Sequence, residues 1–199
     1  MEIWHAIEEI DSALLVLINH GRSDLLNWLM PVLSDFQVAL PLVVLILSWR
    51  LWKGTNRERI MWVGLVAAIV LADMLCARVL KTLVDRPRPF FHTDGIYVMR
   101  DGRWIRNTLE AGQRLKGSLS WPSCHAMNIW TFAAYTGAFS MRWGLAAMVL
   151  AVGVCYSRIY LGVHYPLDVV GGGFLGTLVG VAAAALVKTV QARYMGPPC

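Results

Sequence analysis

The chain has 199 residues, of which 57% are hydrophobic and only 16% charged, with a mean hydropathy of +0.52. A water-soluble domain of this size needs a polar exterior that this composition does not supply, so the bilayer is the expected solvent. The net charge of +5 suits membrane topology and an anionic ligand rather than nucleic acid.

The opening residues, MEIWHAIEEID, carry no basic leader before an apolar core, so insertion is expected to rely on internal segments. Ile3, Ile7, Ile10, Leu14 and Leu17 recur at helical spacing, with Glu8, Glu9 and Asp11 between them. That pattern predicts an amphipathic helix within an interfacial region covering 1–30; a helix packed on the bundle is an equal alternative. FQVALPLVVLILSWRLW follows and spans the bilayer if its helix begins near Leu33. The second span, 60–80, carries Asp73 and Arg78, which are expensive at that depth unless paired or near the end. For Asp73 a polar contact between helices is the preferred reading.

A polar stretch, 84–121, comes next and is expected to form an extracytoplasmic loop region. Three further apolar runs cover about 122–139, 143–160 and 166–187. Gly172, Gly176 and Gly180 recur every fourth residue in the last, which lets another helix approach closely. The expectation is an all-α transmembrane bundle of about five spans, forming a single domain over 1–199. The loop RLWKGTNRER holds four cations and one acid, which places it in the cytoplasm. Arg142, Lys188 and Arg193 then fall inside, and the acidic N-terminus and 84–121 outside. The seven Lys and Arg of 84–121 oppose that orientation unless several of them bind an anion.

Of the four cysteines, Cys76 and Cys155 lie within apolar runs and read as small hydrophobes. No paired Cys/His spacing is present, so no metal is expected, and no disulfide is expected either.

Folded up and down, four span ends meet at one membrane face. They bring Lys81 and Arg88, Ser123 and His125, Arg158, and then His164 and Asp168 to one patch. In SRIYLGVHYPLD, Pro166 suits the first turn of a helix, with His164 at its entry and Asp168 four residues on. An aspartate so placed can fix the imidazole tautomer and leave the other nitrogen free to attack. In WPSCHAMN, Ser120 is expected to cap and Pro122 to open a helix. The amides of Ser123, Cys124 and His125 would then be unpaired at a natural oxyanion site. A thiol role for Cys124 has no support of its own. Lys81, Arg88 and Arg158 suit a phosphoryl group, whose equatorial oxygens carry the charge. Headgroup anchoring accounts for Arg86, Arg100 and Arg103.

KTLVDRPRP, PSCH and SRIYLGVHYPLD resemble the three signature motifs of the type-2 phosphatidic acid phosphatase superfamily, which includes the vanadium haloperoxidases. The patterns are Lys–six residues–Arg–Pro, Pro–Ser–Gly–His, and Ser–Arg–five residues–His–three residues–Asp. The resemblance implies that Lys81, Arg88, Ser123 and Arg158, with the Cys124 backbone, hold phosphate. It implies His164 as nucleophile, Asp168 as its orienting partner and His125 as general acid, with no cofactor. Cys124 stands where the family has glycine, so a side chain could loosen the amide contact or narrow the pocket.

The expected function is a membrane lipid phosphatase in a bacterial plasma membrane, its active site facing the periplasm or exterior. Undecaprenyl diphosphate is the favoured substrate, ahead of phosphatidic acid, phosphatidylglycerol phosphate and lipid A phosphate. Lipid phosphotransfer and a non-catalytic lipid-binding or transport protein are the alternatives. The expected partners are the lipid substrate and the bilayer; the sequence leaves the oligomeric state open.

Overall fold

The computed structural model describes residues 2–109 and 119–196. Arg114 and Lys116, two of the seven basic residues of the expected outer loop, lie outside the described residues. Helix α1 (Glu2–His20) and helix α2 (Asp24–Ser34) precede α3 (Phe36–Lys53) and α4 (Asn56–Val84). A short helix α5 (Pro89–His92) leads to strands β1 (Tyr97–Arg100) and β2 (Arg103–Arg106). Helices α6 (Cys124–Phe139), α7 (Met141–Tyr160) and α8 (Pro166–Met195) complete the bundle.

Among the described residues, four helices are long and apolar enough to cross a membrane: α3, α4, α7 and α8. No residue of α3 is buried within the chain, so its apolar surface is left to the surroundings, as suits a helix in a bilayer. The fifth apolar run forms α6, which is shorter than the rest. It starts only at Cys124 because Pro122 lies outside the helix, joined to Trp121 by a cis peptide bond, and it stops before Ser140. Its buried Ala126, Met127, Thr131, Ala133, Ala134 and Tyr135 show why length is not critical here. α6 packs on α4, α7 and α8 and is the central helix.

The glycines of α8 make that packing possible. A Cβ at Gly172, Gly176 or Gly180 would run into the carbonyl oxygens of Ser123, Met127 and Thr131 in turn. These are backbone atoms one helical turn apart, and they cannot swing aside.

Helix α1 packs against α7 and α8. Ile3, Ile10, Leu14 and Leu17 are exposed, whereas Asp11, Leu15 and Asn19 form the buried ridge. The helix therefore packs on the bundle with a partly polar face and turns its apolar stripe outward. Asn19 explains the choice. Its amide donates to the carbonyls of Tyr97 and Tyr160, at 2.8 Å each, and its oxygen accepts the Tyr97 N–H. One side chain thus joins α1 to the β1–β2 hairpin and to α7. The hairpin itself was not expected from the sequence. Its turn, Asp101–Gly102, has positive φ at both residues, as a tight two-residue turn requires.

The two ends of the bundle are chemically distinct. At one end the Gln191 side chain donates to the Arg57 carbonyl at 2.8 Å, and Lys188 sits over the Phe139 ring. The expected inner basic residues thus share one end. Asp73 is bonded to Asn128, the interhelical contact preferred for it.

Gly176→Ala should destabilise the protein by about 1–3 kcal/mol, the usual cost of overpacking a close contact. Thermal unfolding in detergent checks this, and an unchanged midpoint would mean that α6 and α8 can separate freely.

Candidate active site

Near its end α4 takes a π-helical turn over Cys76–Leu80, a device common at functional sites. Lys81 follows, its ammonium donating to the Leu119 carbonyl at 2.6 Å. The helix stops at Val84 because Asp85 takes the left-handed conformation, with φ of 50°. Lys81 and Arg88 therefore do not share a helical face. Arg88 instead lies in extended chain at the entry to α5.

That extended chain is zipped to the segment before α6. Pro87 pairs with Leu119 across an isolated bridge, and the Ser120 N–H donates to the Arg86 carbonyl at 2.6 Å. Backbone pairing thus joins the first two motif segments, in addition to the Lys81–Leu119 contact.

The cap of α6 differs from expectation. Ser123 occupies the N-cap position, and its N–H is not free but donates to the Asp168 carbonyl at 3.0 Å. The first-turn amides of Cys124, His125 and Ala126 remain, as at any helix start, without partners inside the helix. Ser120 does not cap. Its hydroxyl donates to Asp168 Oδ2.

His164 is 1% exposed, and its Nδ1 lies 3.5 Å from Asp168 Oδ2 and 3.5 Å from the Ser120 hydroxyl. Asp168 Oδ2 also accepts the Tyr165 N–H at 2.8 Å. With Nδ1 turned to the carboxylate, Nε2 is left for chemistry. Burial, with Arg88 and Arg158 behind it, pushes the His164 imidazolium down to about 3, although Asp168 pulls the other way. The ring is therefore neutral near pH 7 and its lone pair is available.

Arg158, in the last turn of α7, donates through one terminal nitrogen to the Ser34 hydroxyl. Lys81, Arg88 and Arg158 lie within electrostatic reach of one another, and His125 within reach of all three. Among the described residues, Arg88 Nε, Arg158 Nε and Ser123 Oγ are buried without hydrogen-bond partners. Buried donors left unsatisfied are costly, and three converging here suit an oxygen-rich anion.

The expectation of no disulfide, and with it the reading of Cys76 as a free small hydrophobe, is overturned, whereas Cys155 is the buried free cysteine expected. Cys76 and Cys124 form a disulfide, with Cα atoms 5.6 Å apart, and Cys155 is a free buried thiol. The bond ties the π-turn that presents Lys81 to the first residue of α6. It also directs the Cys124 side chain toward α4, so only the Cys124 amide can serve an anion.

Arg86 is no headgroup anchor. Its two terminal nitrogens donate to Asp168 Oδ1 and Asp11 Oδ2, at 2.7 Å each. Sequence reasoning missed Arg86, Ser120 and Asp11. A signal existed for Asp11, an acid on a membrane-seated helix that must find a partner.

Fold and site together define an integral membrane phosphatase. The model of the PAP2 superfamily matches residues 61–192, and the chain belongs to that family. It is 30% identical to an undecaprenyl-diphosphatase of Sulfolobus acidocaldarius, over 88% of this chain and 78% of that protein. It is equally 30% identical to a lipid A 4'-phosphatase of Bacteroides thetaiotaomicron, over 94% and 81% respectively. A similar solved structure is a transmembrane PAP2-type phosphatidylglycerolphosphate phosphatase from Bacillus subtilis. It has a TM-score of 0.64 and 24% identity, covering 95% of this chain and 88% of that one. The protein is thus a multi-pass membrane lipid phosphatase of the PAP2 family.

Alkylation of the denatured protein should label two more cysteines after reduction than before. Intact-mass measurement gives the count; an unchanged count would mean that Cys76 and Cys124 are thiols.

Proposed function

We propose that the enzyme hydrolyses undecaprenyl diphosphate to undecaprenyl phosphate and inorganic phosphate, through a phosphohistidine on His164. The observation that carries the chemistry is a buried imidazole turned to Asp168 within electrostatic reach of Arg88 and Arg158, with Arg88 Nε, Arg158 Nε and Ser123 Oγ unpartnered among the described residues. His164 Nε2 attacks the terminal phosphorus, and the bond from phosphorus to the lipid-phosphate oxygen breaks. His125 gives its proton to that oxygen; burial, Arg158 and Arg88 disfavour its charged form in the free enzyme, so the negative charge of the bound substrate is what keeps it protonated. Water then attacks the phosphohistidine, His125 takes the proton, and phosphate leaves. The three cations, the Ser123 hydroxyl and the amides of Cys124 and His125 offset the charge on the equatorial oxygens. Asp168 accepts a hydrogen bond from the Nδ1–H, which stays on the ring, and so fixes its orientation.

The substrate assignment is supported by the undecaprenyl-diphosphatase relative. The lipid A phosphatase is as similar, so lipid A phosphate is the competing substrate. For orientation, the four cations of 50–59 favour the cytoplasmic side. The Cys76–Cys124 disulfide at the other end favours an oxidising compartment, so the active site faces the periplasm or exterior of a bacterial plasma membrane. Residues 1–199 then act as one domain, with 1–30 at the interface and 84–121 outside.

A panel of purified lipid phosphates and diphosphates tests both levels. Phosphate release should be fastest from undecaprenyl diphosphate, and faster release from lipid A phosphate would reassign the substrate. His164→Ala should lose at least about a thousandfold on every substrate, since removing a nucleophile can cost about a millionfold. Retained turnover would sink the nucleophile assignment.

A further inference from the structure

Asp168 is fully buried, and each of its oxygens is committed. Oδ1 accepts from Arg86 at 2.7 Å, while Oδ2 accepts from Ser120 and from the Tyr165 N–H, and faces His164. Arg86 is fixed in turn. Its second terminal nitrogen donates to Asp11 Oδ2, also at 2.7 Å, and its guanidinium carbon lies 4.1 Å from the Tyr165 ring centroid. Arg86 therefore differs from Arg88 and Arg158, whose Nε donors are buried without partners among the described residues.

Asp11 closes the arrangement. It is 2% exposed, and its other oxygen accepts the N–H of Leu167 at 2.9 Å. Leu167 directly precedes Asp168 in the first turn of α8. One carboxylate on α1 thus grips both the arginine that holds Asp168 and the backbone that carries it.

We propose that Arg86 and Asp11 are positioning residues for the reaction, holding Asp168 and through it His164, so that the N-terminal helix is part of the catalytic machinery. The inference rests on the His164–Asp168 reading given above. Its physical basis is geometry and charge together. Two carboxylates on one guanidinium leave one net negative charge beside the imidazole. When Nε2 bonds phosphorus, the ring keeps its Nδ1 proton and becomes cationic, and the residual charge offsets it. Asp11 supplies that surplus from outside the three motifs.

The test uses full-length enzyme in detergent, with kcat and KM measured on the best lipid phosphate. Arg86→Gln should lower kcat by about 100-fold and Asp11→Asn by about 10-fold, with KM within about threefold, as for residues that act by orienting another. Arg86→Lys keeps the charge but not the fork, and should recover part of the loss. Arg88→Gln, by contrast, should raise KM. On an Asp168→Asn background, Arg86→Gln and Asp11→Asn should each add less than about threefold, because both act through Asp168. Full kcat in Arg86→Gln and Asp11→Asn, losses confined to KM, or undiminished losses on the Asp168→Asn background would each overturn the proposal. If Arg86→Gln fails to fold, Arg86→Lys and Asp11→Asn carry the test. Wild-type kcat per folded molecule in those two would reduce the network to scaffolding. If Asp168→Asn itself leaves kcat unchanged, the dyad reading fails instead.

Discussion

Asp11 and Asp168 are buried within a few ångströms of one guanidinium, and the rest of the site is arranged around that shared ion pair. Two carboxylates cannot be taken from water at this depth without a cation between them. Removing one partner of a buried pair typically costs about 3–5 kcal/mol, because the other is left uncompensated. Arg86 is thereby forced to lie between α1 and the start of α8. Its backbone carbonyl then receives the Ser120 N–H, which brings the segment before α6 into place. The Asp168 carbonyl receives the Ser123 N–H and fixes the start of α6 against α8. Three regions far apart in sequence are aligned by one side chain and two backbone carbonyls.

The bilayer sets the complementary constraint. Little hydrophobic force drives helices together in lipid, so close packing and polar contacts must do so. The glycines of α8 bring its backbone against α6, and Thr131 uses the short distance to donate to the Gly176 carbonyl at 3.0 Å. This contact is rigid, and it carries the first-turn amides of α6 to the mouth of the site. The disulfide from Cys124 to Cys76 fixes the same helix start to α4. The N-terminal end of α6 is thus held on two sides.

Much of the site was legible because its residues sit inside short motifs whose spacing reflects local chain geometry. Lys81, Arg88, Ser123, His125, Arg158, His164 and Asp168 all come from such segments, and the structure gathers those segments at one end of the bundle. The supporting residues were not legible, for a physical reason. Asp11 is 75 residues from Arg86, and Cys76 is 48 from Cys124, so no spacing rule links either pair. Hydropathy also reads lipid contact and protein contact alike. It therefore gave α6 the same status as α3, though one is central and the other has no buried residue. On α1 the exposed apolar stripe stands out in the sequence, while the buried ridge contains Asp11 and Asn19.

The central claim is that His164 accepts the phosphoryl group. Rapid quenching of the enzyme with substrate, followed by peptide mapping under basic conditions, tests it most directly. The account predicts one acid-labile phosphoryl group on the peptide that contains His164, absent from His164→Ala. A burst of lipid product with the phosphoryl group on another residue, or on none, would contradict it.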